Sequence, residues 1–224
     1  MSVVVFDIET LGFDFATFDE AQQEYLMKFA DTDEKRQAEL LKLNLSALTA
    51  RIIAIGMLNP ETMGGKVFYQ STESERFTSD DGKVEYLSGD ERFVLQSFWE
   101  SVDRYDRIVT FNGRAFDGPF IMLRSAMLGI PAGRNLVGYR FDATRHCDLL
   151  DQLTFYGATR KFNLDFYCKA FGIKSPKSDG ITGLDLGPLF REGKFREIAS
   201  YCLGDIVATS ELYKRWASFI SIKE

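Results

Sequence analysis

Apolar residues recur along this chain in two rhythms. Short runs with a period of two, or with no polar break, predict strands at Val3–Thr10, Arg51–Leu58, Lys66–Gln70 and Arg107–Phe111. Helical spacing marks Asp90–Tyr105, where Phe93, Val94, Leu95, Phe98, Trp99 and Val102 alternate with charges. It also marks Phe120–Leu128, ended by Gly129-Ile130-Pro131, then Phe162–Phe171 and Phe195–Phe219, the longest such segment. Between 14 and 49, Phe18, Tyr25, Leu26, Phe29, Leu40, Leu41 and Leu45 fit two helices. Asp19 is placed to cap the first with Gln22 behind it, and Asp31 followed by Glu34 to open the second. Residues 71–88 read as a loop with a strand piece at Lys83–Leu87, and His146–Leu153 as a short extended or mixed element.

Turn residues between these elements suggest how they connect. Asn59-Pro60 and Gly64-Gly65 join two strands into an antiparallel hairpin, while the helix at 90–105 crosses back to a strand and so predicts a parallel pair. No repeat or long Pro/Gly/Ser linker divides the 224 residues, which predicts one α/β domain over 1–224 with a mixed central sheet.

Composition narrows the classes. The 45% hydrophobic content is that of a globular core, and 20 Phe leave rings available for stacking on a ligand. A net charge of -6 argues against a strongly basic, indiscriminate grip on nucleic acid. Cys147, Cys168 and Cys202 are odd in number and far apart, so neither a disulfide framework nor a zinc site is indicated; a reducing, cytoplasmic setting is expected. With no apolar run near ~20 residues and no leader pattern, no membrane association is expected either.

The candidate chemistry starts at Asp7-Ile8-Glu9. In a strand both carboxylates project from one face while Phe6 and Ile8 point into the core. Like charges so close raise each other's pKa unless a cation lies between them, and hard divalent ions such as Mg2+ and Mn2+ choose carboxylate oxygen. Taken alone, the pair reads equally as a strand end with two solvated acids. Asp117 follows the strand at 107–111, at the carboxyl end where α/β proteins gather ligands, although a plain helix N-cap fits it too. Tyr201 and Asp205 lie one turn apart on the longest helix, a pattern that a core aromatic and a solvated charge would also give.

Taken in order, Asp7-Ile8-Glu9 (D-x-E), Asn112 to Asp117 (N-x-x-x-F-D) and Tyr201 with Asp205 (Y-x-x-x-D) resemble the three motifs of the DEDD superfamily of 3'-5' exonucleases, in its tyrosine branch. Phe171-Gly172-Ile173, Ser175-Pro176-Lys177 and Tyr201-Cys202 through Asp205 look most like the exonucleases related to the exonuclease domain of family B DNA polymerases. The resemblance implies a ribonuclease H-like fold, an antiparallel three-strand meander plus two parallel strands flanked by helices. The segment at 14–49 is longer than in the simplest members and reads as a helical insertion.

The resemblance also implies two divalent ions, Mg2+ or Mn2+, held by Asp7, Glu9, Asp117 and Asp205, with Asp7 touching both. Tyr201 would orient the attacking water, and hydrolysis of the terminal phosphodiester would release a nucleoside 5'-monophosphate. Thr10, Leu11, Asn112 and Phe116 are the implied contacts to the terminal nucleotides of a nucleic acid 3' end, single-stranded DNA being favoured over RNA by analogy alone. Lys161, Lys174 and Lys177 are candidates for phosphate contacts. His146 and Asp151 carry the H-x-x-x-x-D spacing of the histidine branch, but some seventy residues and a longer helix follow them. A silent end-binding protein, an RNA-trimming enzyme and an endonuclease of the same broad fold are the rival readings.

Overall fold

Alternation along the first strand sorts its residues onto the two faces of a sheet. In the computed structural model, which describes residues 1–175 and 180–221, β1 (Val3–Gly12) sends Val3 and Val5 to one buried cluster and Val4, Phe6 and Ile8 to another. Around it stand β2 (Ala50–Leu58), β3 (Gly65–Gln70), β4 (Arg76–Thr78), β5 (Val84–Gly89), β6 (Arg107–Thr110) and β7 (His146–Asp148). The described residues form a seven-stranded sheet in the order β4-β5-β3-β2-β1-β6-β7. Pairs β1–β2, β2–β3 and β4–β5 are antiparallel, and β1–β6, β6–β7 and β3–β5 are parallel. This mixed sheet flanked by helices is a ribonuclease H-like fold.

One face carries α8 (Phe195–Phe219), with the short α5 (Leu149–Leu153), α6 (Leu164–Ala170) and α7 (Leu186–Arg191) around it. The other carries α3 (Glu91–Val102) and α4 (Asp117–Met127), whose Val94, Phe98, Phe120 and Ile121 meet Phe6 and Ile8. Ile198, Ile206 and Leu212 of α8 are at most 1% exposed. At ~1.5–3 kcal/mol for each such side chain, their burial contributes roughly 5–9 kcal/mol toward docking this helix on β1 and β2. The Arg124–Glu91 ion pair (2.6 Å) ties α4 to α3, and Glu91 Oε1 also accepts from Ile52 N (2.9 Å), so both helices are anchored to the central sheet.

The structure moves several boundaries. β4 and β5 extend the sheet beyond the expected meander and parallel pair. The alternation of Val84, Tyr86 and Ser88 is present, but β4 has three residues and neither a long run nor a buried face to betray it. Helix α7 was not anticipated, because Gly187 and Pro188 read as breakers although proline is tolerated in a first turn. In the 14–49 segment, α1 (Glu20–Met27) has the Asp19–Gln22 capping box as expected. Helix α2 (Asp33–Lys42) is capped by Thr32 rather than Asp31, which instead pairs with Lys35 at 2.6 Å. Neither helix buries a residue, so their apolar positions, Tyr25 and Leu41 among them, are not core, and Phe29 in the turn between them is exposed as well. Among the described residues no helix is long and apolar enough to cross a membrane.

Candidate active site

The strand beside the one that carries Asp7 and Glu9 is distorted where it passes them. Register with β2 shifts between Glu9, opposite Ala54, and Thr10, opposite Ile52, leaving Ile53 as an extra residue. Ile53 and Ala54 consequently both join the cluster on the α8 side, the mark of a β-bulge, and bulges re-aim side chains at such places. Opposite Asp7 stands Gly56, where a Cβ would come within 2.9 Å of Ile206 Cδ1 and 3.1 Å of Cys202 Sγ. The missing side chain lets α8 lie close against β1, with the Cys202 thiol 3.8 Å from the Asp7 carbonyl oxygen.

That approach brings Asp205 to the two strand carboxylates. Asp7, Glu9 and Asp205 each offer an oxygen, and the three lie within 4.8 Å of one another. Asp117 stands beside this trio. β6 stops at Thr110 while β1 runs on to Gly12, and the Ile8 amide donates to Asp117 Oδ1 at 3.0 Å. Asp117 is also near enough to Asp7 for its charge to act on it. It opens α4 as its first residue, not as its N-cap, and at 2% exposure it is not a solvated acid. Tyr201, one turn before Asp205 on α8, stands near enough for the Asp205 charge to act on its phenol.

The electrostatics are set by burial and by like charges held close together. Burial first, and then the charges of Asp117, Asp205 and Glu9, hold Asp7 well above the usual carboxylate range. Glu9 is raised in the same way by burial, Asp205 and Asp117. Asp117 is pushed up to about 7 by burial, against its two backbone hydrogen bonds. Burial and the neighbouring carboxylates raise the Tyr201 phenol, so it keeps its proton across any neutral working range and acts as a donor. Glu9 Oε1 is shut away from solvent with no hydrogen-bond partner. An orphaned buried carboxylate oxygen among all-oxygen donors fits a hard divalent cation such as Mg2+ or Mn2+, whose charge would offset the burial of these acids.

A second layer supports Asp117. Asn112 has a positive φ of 68°, and a Cβ on Gly113 would overlap Thr110 Oγ1 at 2.4 Å, so this sharp turn depends on its glycine. The buried carboxylate of Asp148 holds the turn, accepting from Asn112 N (2.9 Å) and Arg114 N (2.9 Å) while capping α5 through Leu150 N (3.0 Å). Arg114 in turn binds the carbonyls of Val137, Asp142 (2.8 Å) and His146 (2.5 Å). Reading by sequence missed Asp148. Its only signal was an acid directly before the Leu149-Leu150-Asp151 helix start, a capping pattern with nothing to tell what else it holds.

The other sequence-predicted residues fall in several places. The Thr10 hydroxyl donates to Asn44 O (2.7 Å), and Leu11 packs on the α8-side core. Asn112 and Phe116 line the turn into α4, the Phe116 ring 5.5 Å from that of Phe120. Lys161 is exposed, Lys174 is not without a partner, and Lys177, with Pro176, lies outside the described residues. His146 is buried with Nε2 2.8 Å from Thr110 Oγ1, and burial lowers its pKa to about 3. Asp151 pairs with Arg140 at 2.9 Å, so neither member of that alternative motif joins the carboxylate trio.

Comparisons with known proteins bear on this geometry. The family described as predicted 3'-5' exonucleases related to the exonuclease domain of PolB matches residues 44–221. That match begins beyond Asp7 and Glu9, which the structure alone brings to Asp205. No curated protein matches the chain. Among solved structures, the family B DNA polymerase from the hyperthermophilic archaeon Pyrobaculum calidifontis is similar over 97% of this chain and 24% of its own, with a TM-score of 0.61 and 19% identity. The chain thus spans about a quarter of that polymerase.

Proposed function

Since the chain belongs to the family of predicted 3'-5' exonucleases related to the exonuclease domain of PolB, we propose that it removes nucleotides from the 3' end of single-stranded nucleic acid, DNA in preference to RNA, as a tyrosine-branch DEDD exonuclease. One observation carries this reading: three carboxylates from β1 and α8 converge within 4.8 Å, one of them with a buried, unpartnered oxygen, beside a phenol that holds its proton. Asp7, Glu9, Asp117 and Asp205 would hold two divalent ions, Mg2+ or Mn2+. When bound, such ions activate water and stabilise the attacking and leaving oxygens of an in-line phosphoryl displacement.

The chain's own residues do the rest. Asp7 and Glu9, on a strand paired with the bulged β2 and covered by α8, set the donor positions, and Asp117 is fixed from behind by Ile8 N. Tyr201 donates a hydrogen bond and so orients the attacking water without acting as its base. The 3'-terminal nucleotide would lie along Thr10 and Leu11 with Asn112 and Phe116 opposite, and it leaves as a 5'-monophosphate. Residues 14–49 we take as a helical insertion in a single 1–224 domain, standing at the mouth of the site. In support, Asn44 receives hydrogen bonds from Thr10 Oγ1 and Gly12 N, and α1 and α2 bury nothing.

Digestion of 5'-labelled DNA and RNA oligonucleotides, single- and double-stranded, with Mg2+, Mn2+ or EDTA tests the reading. The expected result is a metal-dependent ladder shortening from the 3' end of single-stranded DNA. Internal cuts would mean an endonuclease, and binding of strand and Mn2+ in calorimetry with no mononucleotide released would mean a silent end-binding protein.

A further inference from the structure

A polyanionic strand must be held by a chain of net charge -6, so the cations that meet it have to be gathered locally. A cleft of about 720 Å3 opens between the α7–α8 turn and the chain leaving β3. Its walls include Arg51, Ser71, Thr72, Phe190 and Arg191. The charges around it divide into spent and unspent. Arg196 is taken by Glu75, and Lys194 by Glu192 at 2.9 Å. Arg51 and Arg191 make no hydrogen bond or ion pair among the described residues, and the acids left over, Glu73 and Glu197, are exposed on the rim. Arg51 is also held in place: its guanidinium lies 4.8 Å from the Phe190 ring centroid, and its Nε is shut from solvent without an acceptor.

The cleft lies close to the carboxylates. Arg51 pairs with Leu11 across β1–β2, two residues beyond Glu9. With ~3.3 Å of rise per residue and ~4.8 Å between strands, its Cα lies roughly 8 Å from that of Glu9. Leu11 Cδ1 and Arg191 Nη1 both lie near Gly187, 3.6 and 3.5 Å from where its Cβ would stand, so Arg191 too comes near the strand that carries the acids.

We propose that this cleft holds the phosphodiester backbone of the substrate strand upstream of the cleaved nucleotide, with Arg51 and Arg191 as its phosphate contacts and the Ser71 and Thr72 hydroxyls beside them. This rests on the exonuclease reading above. A guanidinium kept in plane by a ring presents its fork to phosphate oxygens with little left to order, and two unpaired arginines give the strand the cationic footing that the chain as a whole denies it.

The test separates the two ideas. Arg51→Gln, Arg191→Gln and the double variant are compared with the wild type by anisotropy of a fluorescent single-stranded oligonucleotide in EDTA, where no turnover occurs, over a range of salt. Each arginine removed is expected to make the slope of log K against log[salt] shallower by about 0.7. With metal, KM is expected to rise several-fold on strands of about sixteen nucleotides and not on a dinucleotide, at unchanged kcat. Lys66→Gln, at the opposite end of the β2–β3 pair, is expected to change neither. Equal salt slopes in wild type and double variant overturn the cleft assignment even if the enzyme is active. Lost slopes with no cleavage in the wild type support the cleft and refute the exonuclease. Arg191 is at the surface, so its variant is informative even if Arg51→Gln fails to fold.

Discussion

Replacing Asp117 by Asn is expected to stabilise the metal-free protein and abolish its activity together. Asp117 is 2% exposed, and its folded pKa is pushed up to about 7 from an ordinary 3.8. The folded state therefore binds more protons than the unfolded chain between these values, so stability falls as pH rises through that window and stays low above it. At ~1.36 kcal/mol per unit, ionising this group at pH 8 costs the fold about 4 kcal/mol. Asn carries no charge yet keeps an Oδ1 to accept from Ile8 N, so it avoids the cost without losing that bond. After some loss of fit, a gain of ~2–4 kcal/mol in EDTA at pH 8 is expected, or roughly 5–15 °C in Tm at ~2–4 °C per kcal/mol. At pH 4, where the wild-type carboxyl is protonated, the two proteins are expected to melt within a few degrees of each other. Mn2+ at pH 8 is expected to stabilise the wild type by mass action and the variant much less. Scanning calorimetry at pH 4 and 8, with and without Mn2+, decides: a variant less stable than wild type at pH 8 in EDTA refutes the buried-charge account.

The remaining predictions concern the groups that set this geometry. Tyr201→Phe removes one hydroxyl and leaves the ring packed, so kcat is expected to fall roughly 10- to 1000-fold with little change in Tm, whereas His146→Ala lowers Tm more than kcat; the reverse pattern would move the assignment to the histidine branch. Gly56→Val drives a side chain into Cys202 and Ile206, and is expected to cost about 1–3 kcal/mol in denaturant titration and to weaken Mn2+ binding as α8 shifts from β1. Asp148→Ala frees the amides of Asn112 and Arg114; kcat is expected to fall through a displaced Asp117, with partial recovery at high Mn2+, and a stability loss that leaves kcat untouched would refute this support.

How much of this could be read from the sequence depends on whether the cause was local. The strand at Val3–Gly12, the Asp19 cap and the full extent of Phe195–Phe219 follow from periodicity and short-range hydrogen bonding. The grouping of Asp7, Glu9 and Asp205 follows from facing side chains once the helix lies on the strand. What was hidden is tertiary. Asp117 looks like a cap, but its acceptor role is set by a strand 109 residues away. The bulge at Ile53 leaves no trace in a run of isoleucines, and Arg51 reads as a strand-flanking charge until α7 lays Phe190 beside it.

The span between the clustered acids has a consequence for how the molecule comes into being. Cys202 rests on the carbonyl of Asp7 across 195 residues of chain, so the acidic pocket is among the most non-local contacts in the fold. Loop-closure entropy makes such contacts slow to form, and as the chain is made the strand emerges long before the helix that completes it. The nascent polypeptide therefore carries Asp7, Glu9 and Asp117 without Asp205 or Tyr201, and the carboxylates come together only when the helix at Phe195–Phe219 docks.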